Sequence, residues 1–199
     1  MDAIVFDLGK VLLDWNPRYF YGQFFGDPRA LERFLHEAVP MQWVAEMDAG
    51  KPASVAIAER QRLLPHHAAL IGRWSEGWPR MLRGAIEETV EILAGLRERG
   101  LRLYALTNFS TETWPIARER FDFLGWFDDV VVSGEHGFAK PDRRLFELAI
   151  RRWALVPAQT VFTDDRLENV AAARAFGLHA LHFTGAAKLR AELEKLGLF

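Results

Sequence analysis

The chain has no cysteine among its 199 residues. That absence excludes disulfide frameworks, cysteine nucleophiles, iron–sulfur clusters and thiolate zinc sites together, and leaves the redox compartment open. It has almost no net charge: 25 Lys and Arg against 27 Asp and Glu leave −2. Nothing electrostatic therefore predicts a nucleic-acid or anionic-membrane partner, although a small phosphate-bearing molecule needs only local positive charge. No apolar run approaches the roughly 18 residues of a membrane span, and Met1-Asp2-Ala3-Ile4-Val5-Phe6 lacks the basic and apolar regions of a secretion signal. A cytoplasmic location is the expectation. Glycine and proline are sparse, 15 and 9 residues, while 50% of the chain is apolar and 26% charged; disordered, collagenous and low-complexity classes are excluded. The length suits one domain, or one domain carrying a smaller insert.

What is present is a rhythm. Short apolar segments at Ala3 to Phe6, Leu101 to Leu106, Val130 to Val132 and Thr160 to Phe162 each end in a polar residue and are too short for helices. Leu178 to His182 reads as a fifth. Between them run helical patterns: Ile86, Val90, Leu93 and Leu96 before Gly100; Leu145, Phe146, Ala149, Ile150 and Trp153 after Pro141 and Asp142; Leu167 to Phe176 before Gly177; and Leu189, Leu193 and Leu196 near the end. Strands alternating with helices predict an α/β fold, a Rossmann-like, mostly parallel sheet with helices on both faces. Residues 16–83 break the rhythm. No credible strand is found there, but helix-like blocks at Tyr19 to Phe25, Pro28 to Glu37 and Ser54 to Leu64 are punctuated by Gly26-Asp27-Pro28, Gly50-Lys51-Pro52 and Pro65. The expected organisation is a core of residues 1–15 and 84–199 interrupted by an all-helical insert, 16–83.

In an open α/β sheet, ligands bind outside the carboxyl ends of the strands. Those ends read Phe6-Asp7-Leu8-Gly9, Leu106-Thr107-Asn108, Val132-Ser133-Gly134 and Thr163-Asp164-Asp165, and Lys140 follows the third strand in a loop. Three carboxylates in one crevice repel each other, which a divalent cation relieves. Oxygen donors with no Cys and no His favour Mg²⁺ over Zn²⁺. A carboxylate, a cation, a lysine and a hydroxyl describe a phosphate site. With no G-x-x-x-x-G-K-[ST] loop, the best nucleophile on offer is a carboxylate that attacks phosphorus.

Phe6-Asp7-Leu8-Gly9-Lys10-Val11-Leu12, Leu106-Thr107-Asn108, Lys140-Pro141 and Phe162-Thr163-Asp164-Asp165-Arg166-Leu167-Glu168-Asn169 resemble the four ordered motifs of the haloacid dehalogenase (HAD) superfamily. The chain is most similar to its Asp-Leu-Gly branch of phosphatases, which includes sugar-1-phosphate phosphatases, and the insert lies where that superfamily carries a helical cap. The resemblance implies a Mg²⁺-dependent phosphatase of a small phosphorylated metabolite, such as a sugar phosphate. It implies Asp7 as nucleophile and metal ligand, with the Gly9 carbonyl as a second ligand. Thr107 and the Asn108 amide would hold the phosphoryl group, and Lys140 would neutralise it while pairing with Asp7. Asp165 would bind the metal directly, Asp164 directly or through water, and Asn169 would brace the acidic loop.

Gly9 departs from the pattern. Most phosphatases of the superfamily carry there a second Asp that protonates the leaving alcohol and then activates water, a role that contributes roughly 10²–10⁴-fold. Another group or water takes over, the enzyme is slow, or the site no longer turns over; Asp14, Glu46 and Asp48 are the carboxylates that could substitute. The competing readings are carbon–halogen hydrolysis, which Asp164-Asp165 disfavours by repelling a departing halide, and a binding protein that kept the fold. Ser133, Trp15, Tyr19, Phe20 and Trp43 are expected to be structural, Lys10 to face solvent, and His66-His67 to be exposed. Met47-Asp48-Ala49-Gly50-Lys51 is either a substrate-facing loop or a plain turn. The sequence does not address oligomeric state.

Overall fold

A computed structural model describes all 199 residues. Five strands form a wholly parallel sheet: β1 (Ala3–Phe6), β4 (Arg102–Thr107), β5 (Asp129–Val132), β6 (Thr160–Asp164) and β7 (His179–His182), in the order β5-β4-β1-β6-β7. The α/β expectation holds, and each predicted strand is present to within two residues. β1 lies at the centre because its four residues are buried on both faces. Ile4 and Phe6 join one apolar cluster with Leu103, Ala105 and Val161, while Ala3 and Val5 join another with Tyr104, Leu106 and Phe162. Both halves of the strand's alternation are therefore apolar, the mark of a parallel strand covered above and below.

Helices supply the covers. Glu87–Glu98 and Ala186–Lys195 bury Ile92, Leu93, Leu96, Leu189 and Leu193 against the first face. Arg143–Arg152 and Leu167–Ala175 bury Leu145, Phe146, Ala149, Val170 and Ala173 against the second. Their limits follow local chemistry. The Asp142 carboxylate accepts from the Arg144 N–H at 2.9 Å and starts one helix, and Gly100 and Gly177, at φ of +74° and +82°, end two others in the left-handed conformation.

Strand order reverses at β1: the chain places β4 and β5 on one side of it and β6 and β7 on the other. The carboxyl ends of β1, β4 and β6 therefore border a crevice at the switch point. The interrupting segment supplies the helices Pro28–Ala38, Met41–Asp48, Ala53–Leu63 and Trp74–Met81, of which Met41–Asp48 and Trp74–Met81 border the crevice. Their apolar faces, through Phe34, Trp43, Trp74 and Met81, belong to the same cluster as Phe6 and Leu8. Phe20 and Trp43 are core residues, as expected; Trp43 meets Trp74 edge-on at 5.0 Å.

One element runs against expectation. A two-stranded antiparallel ribbon pairs β2 (Leu13–Trp15) with β3 (Leu82–Ala85), its register slipping between Asp14 and Trp15. β3 begins inside the stretch expected to lack strands. It is four residues long, Leu82-Arg83-Gly84-Ala85, with no alternation to betray it, and it exists only because β2 offers an edge. No helix is long and apolar enough to cross a membrane.

Packing within the interrupting segment is tight at Gly77, where an added Cβ would stand 2.2 Å from the ring of the fully buried Phe20. Gly77→Ala should therefore cost about 1–3 kcal/mol through overpacking, read as a lower urea midpoint with the slope unchanged.

Candidate active site

The β1 exit is held by its own backbone. After Asp7, the Leu8 carbonyl accepts from the N–H groups of Val11, Leu12 and Leu13 at 3.3, 2.8 and 2.9 Å, and Lys10 donates to Leu13 O at 2.7 Å while sitting at φ +60°. This turn fixes Asp7 and Gly9 at the crevice floor. Gly9 is not forced by geometry: its φ lies outside the left-handed region, and an added Cβ would meet nothing within 4 Å.

Asp7, Asp164 and Asp165 bring carboxylate oxygens within 4.8 Å of one another. Among them stands Lys140, whose side chain is 1% exposed. Its Nζ donates to Asp7 Oδ1 at 2.8 Å, Asp164 Oδ2 at 2.7 Å and the Leu106 carbonyl at 2.6 Å, which uses all three of its protons. Asn108 holds that lysine in place: its amide donates to Lys140 O at 3.0 Å and its side-chain oxygen accepts from Lys140 N at 2.8 Å. Asn169 donates to both oxygens of Asp164 at 3.0 Å, and the Arg166 N–H adds a further bond at 2.9 Å. Asp164 thus accepts two protein hydrogen bonds on each oxygen, whereas the half-buried Asp165 carboxylate takes no hydrogen bond from the protein.

The charges are unbalanced. Burial pushes the Asp7 carboxyl up to about 7 against the pull of Lys140, and Asp164 and Asp165 add to the rise. Burial also raises Asp165, helped by Asp164 and opposed by Lys10, Lys140 and Arg166. On Lys140 burial works downward, but the two carboxylates prevail and hold the ammonium above its ordinary range. Three acids face one committed lysine, and all donors are hard oxygens. The residues present fit a hard divalent cation, which would supply the missing positive charge.

Of the residues singled out in the sequence, Asp7, Gly9, Asn108, Lys140, Asp165 and Asn169 line one cavity of about 320 Å³. Asp164 is fully buried behind them. Thr107 ends β4 but does not line the cavity; it is buried and its hydroxyl has no partner. Asn108 lines it with its side chain spent on Lys140, so its backbone N–H and that of Gly9, which have no acceptor in the protein, are the free donors there. Lys10 is exposed, as expected, yet stands at the cavity rim and its charge reaches Asp165. Ser133 is structural: its Oγ accepts from Phe109 N at 3.0 Å and donates to Asp48 O at 2.5 Å. His66 and His67 pair with Glu37 at the surface, away from this cavity.

Several lining residues lie outside the sequence expectations: Met41, Val44, Ala45, Trp78, Phe109 and Arg166. Met41, Val44 and Ala45 stand at i, i+3 and i+4 of the helix Met41–Asp48, with Asp48 at i+7. That stripe was the available signal, since one helical face carries three apolar side chains and one acid. Trp15, expected in the core, also lines the cavity, and its indole N–H is buried without an acceptor.

The family model for haloacid dehalogenase-like hydrolases matches residues 1–177. The chain belongs to the haloacid dehalogenase-like hydrolases. A curated relative, the sesquiterpene phosphatase astK of Aspergillus oryzae, is 27% identical over 98% of this chain and 95% of its own length. Among solved structures, a HAD family enzyme from Bacteroides thetaiotaomicron in complex with magnesium and inorganic phosphate superposes with a TM-score of 0.72, at 18% identity over 92% of this chain and 93% of that one. An L-2-haloacid dehalogenase superposes at 0.66, with 23% identity over 92% of this chain and 84% of that one. Both structures establish a shared fold.

Removing the lysine would leave Asp7 and Asp164 buried without a cation. Lys140→Met should lower the unfolding free energy of the metal-free protein by about 3–5 kcal/mol, the range for breaking a buried pair from one side, measured by urea denaturation at pH 7.

Proposed function

We propose that the chain is a Mg²⁺-dependent phosphatase that hydrolyses a small phosphate monoester through an aspartyl phosphate on Asp7. The observation that carries this reading is the position of Asp7: it ends the central strand, lines the cavity, and shares it with two more carboxylates and one lysine. Asp7, Asp165, the Gly9 carbonyl and Asp164, directly or through water, would hold the metal. When bound, Mg²⁺ offsets the charge of the phosphoryl oxygens. Lys140 acts on Asp7 by fixing one carboxylate oxygen, which leaves the other free to attack. The phosphoryl oxygens lie against the N–H groups of Gly9 and Asn108. The Asp7 oxygen forms a bond to phosphorus as the ester oxygen leaves; water then attacks phosphorus, releasing inorganic phosphate and the free carboxylate. Segment 16–83 acts as a cap that closes the crevice from water.

The rest of the cavity speaks to the alcohol. Trp15, Met41, Val44, Ala45, Trp78 and Phe109 give the cavity an apolar lining beside the acids, and a sugar has little to gain there. An apolar alcohol fits that lining better than the sugar phosphate that the sequence suggested, and the sesquiterpene phosphatase relative agrees in kind. The dehalogenase reading is weaker because Asp165 leaves an uncompensated acid facing the cavity, where a halide would have to depart.

Asp7→Asn should abolish hydrolysis of p-nitrophenyl phosphate, and chelation should do the same until Mg²⁺ is restored; undiminished turnover in either experiment would reject the mechanism. Octyl phosphate should show at least about tenfold higher kcat/KM than glucose 1-phosphate, since each methylene buried on the apolar wall contributes about 0.8 kcal/mol.

A further inference from the structure

Gly9 brings no side chain to the position of the usual second acid, and a Cβ there would meet nothing within 4 Å. Of the three carboxylates that could substitute, two are engaged elsewhere. Asp14 accepts from the Tyr19 hydroxyl at 2.9 Å to each oxygen and does not line the cavity. Glu46 pairs with Lys51 at 2.8 Å on the exposed side of its helix. Asp48 is different: it is the last residue of the helix Met41–Asp48 and lines the cavity with Asp7 and Gly9.

Its position is fixed by contacts with the core. The Asp48 carbonyl accepts from Ser133 Oγ, which is itself held by Phe109 N at the exit of β5. Two residues on, Gly50 sits at φ +96°, so close to the core loop that an added Cβ would stand 3.1 Å from Gly134 O. The carboxyl is therefore delivered by a helix end stitched to the sheet. It is also chemically suited. Burial, together with the charge of Asp7, pushes its carboxyl up, with the Ser110 amide opposing, and no cation pairs with it.

Its place along the helix matters as well. Met41, Val44, Ala45 and Asp48 share one face of that helix and line one cavity with Asp7, so the stripe ends in an acid on the cavity side.

We propose that Asp48 is the acid–base catalyst of this enzyme, donating a proton to the leaving alcohol and later taking one from water. This rests on the phosphatase reading above. In the first step the P–O bond of the ester breaks as the Asp7 oxygen bonds phosphorus, and the Asp48 proton passes to the departing oxygen. In the second, Asp48, now a carboxylate, accepts a proton from water as the water oxygen bonds phosphorus. The Asp7–phosphorus bond breaks, and both acids return to their starting states.

The test compares two esters of similar size, p-nitrophenyl phosphate and benzyl phosphate, in the full chain with Mg²⁺. Nitrophenolate leaves without a proton, whereas the benzyl alkoxide needs one. Asp48→Asn should lower kcat for benzyl phosphate by about 10²–10⁴-fold. With p-nitrophenyl phosphate it should give a burst of one nitrophenolate per enzyme followed by slow turnover, because the phosphoryl enzyme forms but water is no longer activated. Asp48→Glu should recover part of the benzyl phosphate rate. Equal losses on both esters with no burst, or no loss on either, would overturn the role of Asp48 while wild-type turnover kept the phosphatase reading. A folded wild type that hydrolyses neither ester, nor any alkyl phosphate, would remove both.

Discussion

The buried ammonium of Lys140 is the interaction on which the crevice depends. Three strand ends bring acids or carbonyls to one point, and mutual repulsion would drive them apart if nothing positive stood between them. Lys140 donates one bond to each: Asp7 after β1, Leu106 within β4 and Asp164 at the end of β6. A lysine can do this because its three protons point in three directions. Asn108 in turn clamps the lysine's backbone through both ends of one amide. The consequence is that all three Lys140 protons are spent on the protein, while the backbone N–H groups of Gly9 and Asn108 stay without an acceptor.

That division gives the cavity two unlike halves. Its floor, built by strand ends, holds acids, one lysine and unpaired N–H groups; its roof, built by helices between β2 and β3, is tryptophan, methionine and aliphatic side chains. A monoester has the same polarity, a charged end and an alcohol end. Asp48 is the exception that crosses the boundary, an acid supplied by the helical side.

The sheet was legible in the sequence because parallel strands buried on both faces appear as short unbroken apolar runs, and Ala3 to Phe6 or Thr160 to Phe162 can hardly be read otherwise. The polar residues at their ends were legible for the same reason, as sudden interruptions at Asp7, Thr107 and Asp164. Other features depended on contacts between distant residues. The pairing of Leu13–Trp15 with Leu82–Ala85 has no local signature, since each partner is stabilised by the other. The choice among Asp14, Glu46 and Asp48 turned on what Tyr19 and Lys51 already occupy, which spacing does not encode. Asn108 stood at the expected place, yet its amide is consumed by a neighbouring backbone that only the folded loop brings near. Trp15 reads as core from its bulk and as cavity wall only once β2 is seen to end beside it.

The short ribbon of β2 and β3 has an evolutionary consequence. The chain leaves the sheet side after Trp15 and returns at Leu82 through strands that are hydrogen-bonded neighbours, about 4.8 Å apart. Everything between is a closed excursion whose two ends are pinned together whatever its length. Closure entropy grows only with the logarithm of loop length, about 0.6 kcal/mol for each doubling. Helices can thus be inserted, removed or exchanged between residues 15 and 82 without moving β1 or disturbing the order of the sheet. The polar groups on the strand ends and the apolar lining that the helices bring to the same cavity are free to change at different rates, joined by a tether only two strands wide.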